Sequence, residues 1–321
     1  MNNLTKVFIG VDVSKNFLDV YISHIEKSMR FQNSNEGCKK MIEDFLQYDV
    51  QMVAFESTGG YENKMARMLE KANLQIWLID PSRIKAFIRS EGIKAKTDAI
   101  DAKMIAQFAA QKNRSYSALK LSKKHLELRA LAKRKEALTG IIASEKKRLK
   151  HPMQTEECKA MIQDHIAFIE KQKKELEQKI KALISEDSEW QKKASIIQSI
   201  PGVGDGTTAV LISHMPELGT IENKQVAALI GVVPYTQQSG SHIGKASIYG
   251  GRFLPRGYLY MATLAGIRYN PILKAFYNRL RDIGKPAKVA LVAAMNKLIG
   301  IINTMLRKNT YWENSINESR F

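Results

Sequence analysis

The chain has 321 residues, 44% of them hydrophobic, with a formal net charge of +18 and a pI near 9.7. That length supports two or more domains with sizeable cores, and that apolar fraction excludes wholesale disorder. So positive a field favours a polyanion. Nucleic acid comes before membrane, because the sequence shows neither an apolar run of spanning length nor a signal peptide at MNNLTKVFIGVDVSK.

Residues 7–13 are a short β-branched apolar run, suited to a buried strand that ends at an acid, Asp12. A turn at Ser14–Asn16 leads to a second strand over 17–22, and a third is expected at 30–32. A helix over 36–47 precedes a strand at 51–55 that runs straight into Glu56. Ser57-Thr58-Gly59-Gly60 turns into a helix carrying Met65, Leu69 and Ala72 on one face. A strand at 75–79, a helix start at Asp80-Pro81-Ser82 and a helix over 98–111 follow. Three consecutive strands, then alternating helices and strands, give a mixed α/β sheet.

Two long helical stretches are expected at 118–149 and 156–186, broken at His151-Pro152. In the second, Ile162, Ile166, Ile169, Lys173, Leu176, Ile180 and Leu183 alternate by four and three, the spacing of a coiled coil. The pattern suits a hairpin packing on itself as well as a coiled coil between subunits. Beyond it, Ile200-Pro201-Gly202-Val203-Gly204-Asp205-Gly206 lies between helical stretches and resembles a helix–hairpin–helix turn. There Gly202 and Gly204 would let backbone N–H groups approach a DNA phosphate, the alternative being a plain glycine-rich connection. Residues 226–233 read as helical, 234–257 as an ordered loop, and 258–306 as helical and basic.

Charge divides unevenly: residues 1–115 hold 17 basic and 14 acidic residues, 116–200 hold 19 and 12, and 201–321 hold 14 and 6. Attraction for phosphate thus belongs to the last two stretches. Two distant cysteines, Cys38 and Cys158, support no disulfide framework and fit a reducing cytoplasm, and the six histidines show no zinc-binding spacing.

The near-neutral first stretch suits a carboxylate site. Two-metal chemistry on a phosphodiester needs several hard oxygen ligands converging on ions about 3.5–4 Å apart. Asp12 and Glu56 end two strands, and Asp98 and Asp101, three apart, share one face of a helix. Each has an ordinary alternative as a turn residue or helix cap, and Glu62 and Asp80 are also acids near turns. The run Gly10-Val11-Asp12-Val13-Ser14-Lys15 tips the reading toward the start of an RNase H-like or RuvC-like sheet.

Three motifs, Gly-Val-Asp-Val-Ser-Lys at 10–15, Phe-Glu-Ser-Thr-Gly-Gly at 55–60 and Lys-Thr-Asp-Ala-Ile-Asp-Ala at 96–102, resemble the DEDD transposases of bacterial insertion sequences, relatives of the pilin-gene DNA invertases. Ile200–Gly204, Ala228–Pro234 and Gln238-Ser239-Gly240 are similar to the same family's second domain, in the same order. The resemblance implies a RuvC-like metal-binding domain at 1–115, with Asp12, Glu56, Asp98 and Asp101 as ligands of Mg²⁺ or, alternatively, Mn²⁺. It implies a coiled-coil region at 116–194 that assembles a dimer or tetramer, and a mostly α-helical transposase domain at 195–321 with Ser239 as nucleophile and Ser241 as second choice. Lys15, Gly202, Gly204, Lys245, Arg252 and Arg256 would contact nucleic acid. Partners would be donor and target DNA and a structured guide RNA encoded by the element, with no membrane, in the cytoplasm and at the nucleoid when active. Two other readings compete with a transposase. One is a RuvC-like junction resolvase without serine chemistry, and the other a non-enzymatic nucleic-acid-binding assembly protein.

Overall fold

The structure, a computed structural model, describes residues 6–92, 97–112, 123–236, 238–239, 242–243 and 246–312. The chain forms two compact units, 1–120 and 121–321.

In the first unit, the apolar runs form β1 (Lys6–Val13), β2 (Phe17–Ile22), β3 (Lys27–Gln32), β4 (Asp49–Glu56) and β5 (Ile76–Ile79), in the sheet order β3-β2-β1-β4-β5. The first three strands pair antiparallel, while β4 lies parallel to β1 and β5 parallel to β4. β3 begins earlier than the sequence suggests. Lys27, Ser28 and Arg30 hid it, because an edge strand buries only alternate side chains and tolerates polar ones. The helices are α1 (Asn35–Phe45), α2 (Asn63–Lys71), α3 (Pro81–Ser90) and α4 (Asp98–Gln111). Ser34 caps α1 and Asp80, followed by proline, caps α3, each accepting a backbone N–H of the first turn.

Strand alternation sorts the core into two faces. Ile9, Val11, Val20, Val53 and Phe55 pack with Met41 and Phe45 of α1 and Met65 and Leu69 of α2. Met52, Ala54, Trp77 and Ile79 pack on the other face with Ile84 and Phe87 of α3 and Met104, Ile105 and Phe108 of α4. Asp12 and Glu56 share the parity of this second face, the one that carries α4.

In the second unit, α5 (Lys123–Leu149) and α6 (Glu156–Ser185) lie against each other through Leu138, Ile142, Ile166 and Ile169. The ion pairs Lys146–Glu170, at 2.9 Å, and Lys135–Glu177, at 3.6 Å, run in opposite sequence order, so the two helices are antiparallel. Leu128 and Ile180 extend this pair into the main helical core. That core is completed by α7 (Ser188–Gln198), α8 (Asp205–His214), α9 (Asn223–Ile230), α10 (Phe253–Tyr269), α11 (Pro271–Asp282) and α12 (Ala287–Lys308). The stretch expected as one helical run from 258 is three helices, parted at Asn270-Pro271 and at Gly284-Lys285-Pro286. The segment read as a loop holds two short antiparallel ladders, β6 (Pro234–Tyr235) with β9 (Ser247–Ile248) and β7 (Gln238–Ser239) with β8 (His242–Ile243).

One expectation is corrected. α12 is 22 residues long and holds an 18-residue window of mean hydropathy 1.7, enough by length and composition to cross a membrane. It is the core helix of this unit: Ala290, Ala294, Leu298, Ile299 and Ile302 are fully buried against its neighbours.

Candidate active site

Asp12 lies near the end of β1, partly buried. Its carboxyl is held up at about 6, first by burial, then by the charges of Asp101, Asp98 and Asp19. Glu56 ends β4 one position beyond Phe55, which pairs with Val11, so it is the strand neighbour of Asp12. Asp98 and Asp101 occupy the first turn of α4, which Thr97 caps and where the helix dipole favours acids.

Gly10 makes this convergence possible. A Cβ there would strike the Ala102 carbonyl oxygen and the Ala106 nitrogen, so α4 rests directly on the backbone of β1. The acidic turn of the helix is thereby laid over the end of the strand that carries Asp12.

Two further residues join the site unannounced by the motifs. Asp19 is the register partner of Asp12 across β1 and β2, and Arg30 is the partner of Asp19 across β2 and β3. Arg30 grips Asp19 with both ends of its fork, Nε to Oδ1 at 2.7 Å and Nη2 to Oδ2 at 3.0 Å, and its Nη2 also donates to Asp98 Oδ2 at 3.2 Å. The turn at 14–16 gave a usable signal, since a tight hairpin there pairs 13 with 18 and therefore 12 with 19. The rival acids have other work. Glu62 is buried and accepts from Thr58 N, Thr58 Oγ1 and Gly60 N, shaping the loop after Glu56, and Asp80 caps α3.

Hard oxygen donors that repel one another in a half-buried setting suit a divalent cation such as Mg²⁺ or Mn²⁺ in charge and donor type. As the side chains stand, no three His, Cys, Asp or Glu among the described residues close around one point.

In the second unit, Ser239 is in β7 with His242 as its register partner, while Ser241 and Lys245 lie outside the described residues. Gly202 has φ +97°, and a Cβ there would lie 2.6 Å from Gly266 N of α10, so this glycine serves internal packing. Gly204, the N-cap of α8, faces open space. Arg252 is engaged inside the protein, donating to the His214 carbonyl at 2.7 Å and to both carboxylate oxygens of Glu217. Arg256 donates to the carbonyls of Gly250 at 2.6 Å and Gly231 at 3.3 Å. Both arginines thus tie down the end of the segment that carries Ser239. Lys15 is exposed in the turn after β1.

Two family models match this chain. A DEDD-type IS110 model described as "Transposase" matches residues 9–157, and one described as "Transposase IS116/IS110/IS902 family" matches 194–278. Pilin gene-inverting proteins of Moraxella bovis and Moraxella lacunata are each 27% identical over 325 residues, covering 98% of this chain and all of the relative. An uncharacterized 43.6 kDa protein of the insertion element IS110 in Streptomyces coelicolor is 28% identical over 150 residues, 46% of this chain and 36% of the relative.

Proposed function

Because the chain belongs to the IS110-type transposases and is a DNA-recombining enzyme, we propose that it cuts and rejoins DNA by metal-assisted serine attack. Asp12, Glu56, Asp98 and Asp101 hold Mg²⁺ or Mn²⁺, which when bound neutralises charge developing on the phosphate. Ser239 is the attacking group: its Oγ–P bond forms as one P–O bond of the DNA backbone breaks, the serine proton leaves, and the released DNA oxygen takes up a proton. The reverse exchange rejoins DNA and frees the serine. The antiparallel α5–α6 pair, within the 116–194 region, serves assembly into a dimer or tetramer. The +18 charge of the chain serves DNA and a structured guide RNA.

The observation that carries the acid half is Asp12, packed among acids, its carboxyl raised to about 6 first by burial and then by the charges of Asp101, Asp98 and Asp19. A strand-end acid in so repulsive a setting is built for a cation. The test is a denaturing gel of protein incubated with Mg²⁺ and donor and target DNA, with the co-purifying RNA retained. Wild type should give a covalent protein–DNA adduct, Ser239→Ala should give none, and Asp12→Asn should give neither adduct nor cleavage. Recombination by Ser239→Ala at the wild-type rate would sink the serine assignment. DNA cleaved without any adduct would favour a resolvase-like reaction on the acids alone.

A further inference from the structure

We infer that Arg30 is a positioning residue for the acidic site, fixing Asp98 in place and removing Asp19 from competition for the ion. The inference rests on the metal reading proposed above. Asp19 is the most buried carboxylate in the group, with its side chain 10% exposed, whereas that of Asp98 is 60% exposed on the first turn of a helix. Left to themselves these two would behave in opposite ways. Asp98 would turn into solvent, where its rotamers are free. Asp19, directly across from Asp12, would add a fifth negative group and offer the ion a wrong ligand.

One guanidinium prevents both. Its Nε and Nη2 saturate Asp19 in the forked geometry that only arginine supplies. The same Nη2 takes Oδ2 of Asp98 and leaves the other carboxylate oxygen unclaimed by Arg30. Ligating carboxylates are commonly held in this manner by a partner beyond the metal, and losing that partner costs about 10- to 100-fold in metal affinity. Arg30 is itself held in register, because it pairs with Asp19 across β2 and β3 and lies over the Phe17 ring at 5.2 Å from its centroid. An open cleft lined by Asp19, Ser28, Met29, Arg30 and Ala99 runs beside the bridge, so ions and solvent reach it.

Coulomb attraction alone predicts the reverse. Deleting a cation beside four acids should tighten a bound divalent ion. The two accounts therefore differ in sign, and Mn²⁺ binding to the full chain, read by its electron paramagnetic resonance signal, separates them. Arg30→Gln should bind Mn²⁺ about 10- to 100-fold more weakly than wild type. Arg30→Lys keeps the charge but not the fork, and should remain about 10-fold weaker. Metal-free melts of Arg30→Gln should fall below wild type, because Asp19 loses its partner, so Mn²⁺ binding is read at a temperature where far-UV circular dichroism shows each variant folded. If Arg30→Gln does not fold, Arg30→Lys decides the matter. Wild-type binding that is unchanged or tightened in a folded variant overturns this proposal alone. A wild-type chain that binds no Mn²⁺ overturns the metal reading, and this one with it.

Discussion

Asp12 and Asp19 face each other across the β1–β2 register, and Arg30 neutralises only one of them. Among the described residues no cation pairs with Asp12, so its ionisation sets the cost of gathering these acids. Its value is about 6 in the folded chain against 3.8 for a free carboxyl. A raised acid stabilises the fold fully below 3.8, and that contribution is lost as pH rises through 6.

The metal-free protein should therefore lose stability between pH 4 and 7 in a way that Asp12→Asn does not. With solvent screening allowed for, the difference at pH 7.5 should be about 1 kcal/mol, a few degrees in melting temperature. Thermal melts in chelator from pH 5 to 8 should show Asp12→Asn melting above wild type, with the gap closing toward pH 5. Millimolar Mg²⁺ or Mn²⁺ should then raise the wild-type melt and leave the variant unmoved. An Asp12→Asn protein that melts no higher than wild type at pH 7.5 would contradict the assignment.

Gly10→Ala should damage the site without touching an acid. Its Cβ meets backbone atoms of Ala102 and Ala106, which cannot swing aside as a side chain would. Either α4 moves off the sheet or the unit loses about 3 kcal/mol, the upper range for overpacking. Asp98 and Asp101 travel with the helix, so DNA cleavage should fall with stability. A Gly10→Ala protein with a wild-type melt and wild-type cleavage would show that α4 does not need this contact.

Most of the first unit was legible because its strands are short apolar runs bounded by turns, and because a helix start announces itself at Asp80-Pro81. Asp12 and Glu56 were legible as candidates for the same reason, standing where two such runs end, and Asp98 and Asp101 because their spacing puts them on one face of a helix. Asp19 and Arg30 were not, since each sits mid-strand where a polar residue usually faces solvent. Only the hairpin register reveals that Asp19 looks at Asp12. α12 was misjudged in another way: apolar on most sides, it meets the length and composition of a membrane span while serving as the core of a helical unit. The glycines at 202 and 204 looked equivalent in sequence, and only packing tells them apart.

That difference is testable. Gly202→Ala adds a Cβ against the α10 backbone at φ +97°, and should cost about 3 kcal/mol. Gly204→Ala meets nothing within 4 Å at extended backbone angles, and should cost under about 1 kcal/mol. If the α8 N-terminus contacts a DNA phosphate, Gly204→Ala should weaken DNA binding at an unchanged melt, with the loss largest at low salt. Unchanged binding isotherms across salt for a folded Gly204→Ala would assign the turn to architecture alone.

His214 gives the second unit its own pH signature. Burial, followed by the nearby charges of Arg129 and Arg252, pulls its value down to about 4 from 6.5. A depressed histidine stabilises the fold above 6.5, where it is neutral in both states, and that contribution is lost as pH falls toward 4. Protonation would add a positive charge beside the arginine that anchors the Ser239 segment to Glu217 and to the His214 carbonyl. Wild type should thus lose about 1–2 kcal/mol relative to His214→Gln between pH 7 and 4.5, with partial solvent access taken into account. Hydrogen exchange should speed up over residues 246–256 in the same window in wild type and stay level in the variant. Parallel pH profiles for the two proteins would mean that His214 is not what couples acid to this segment.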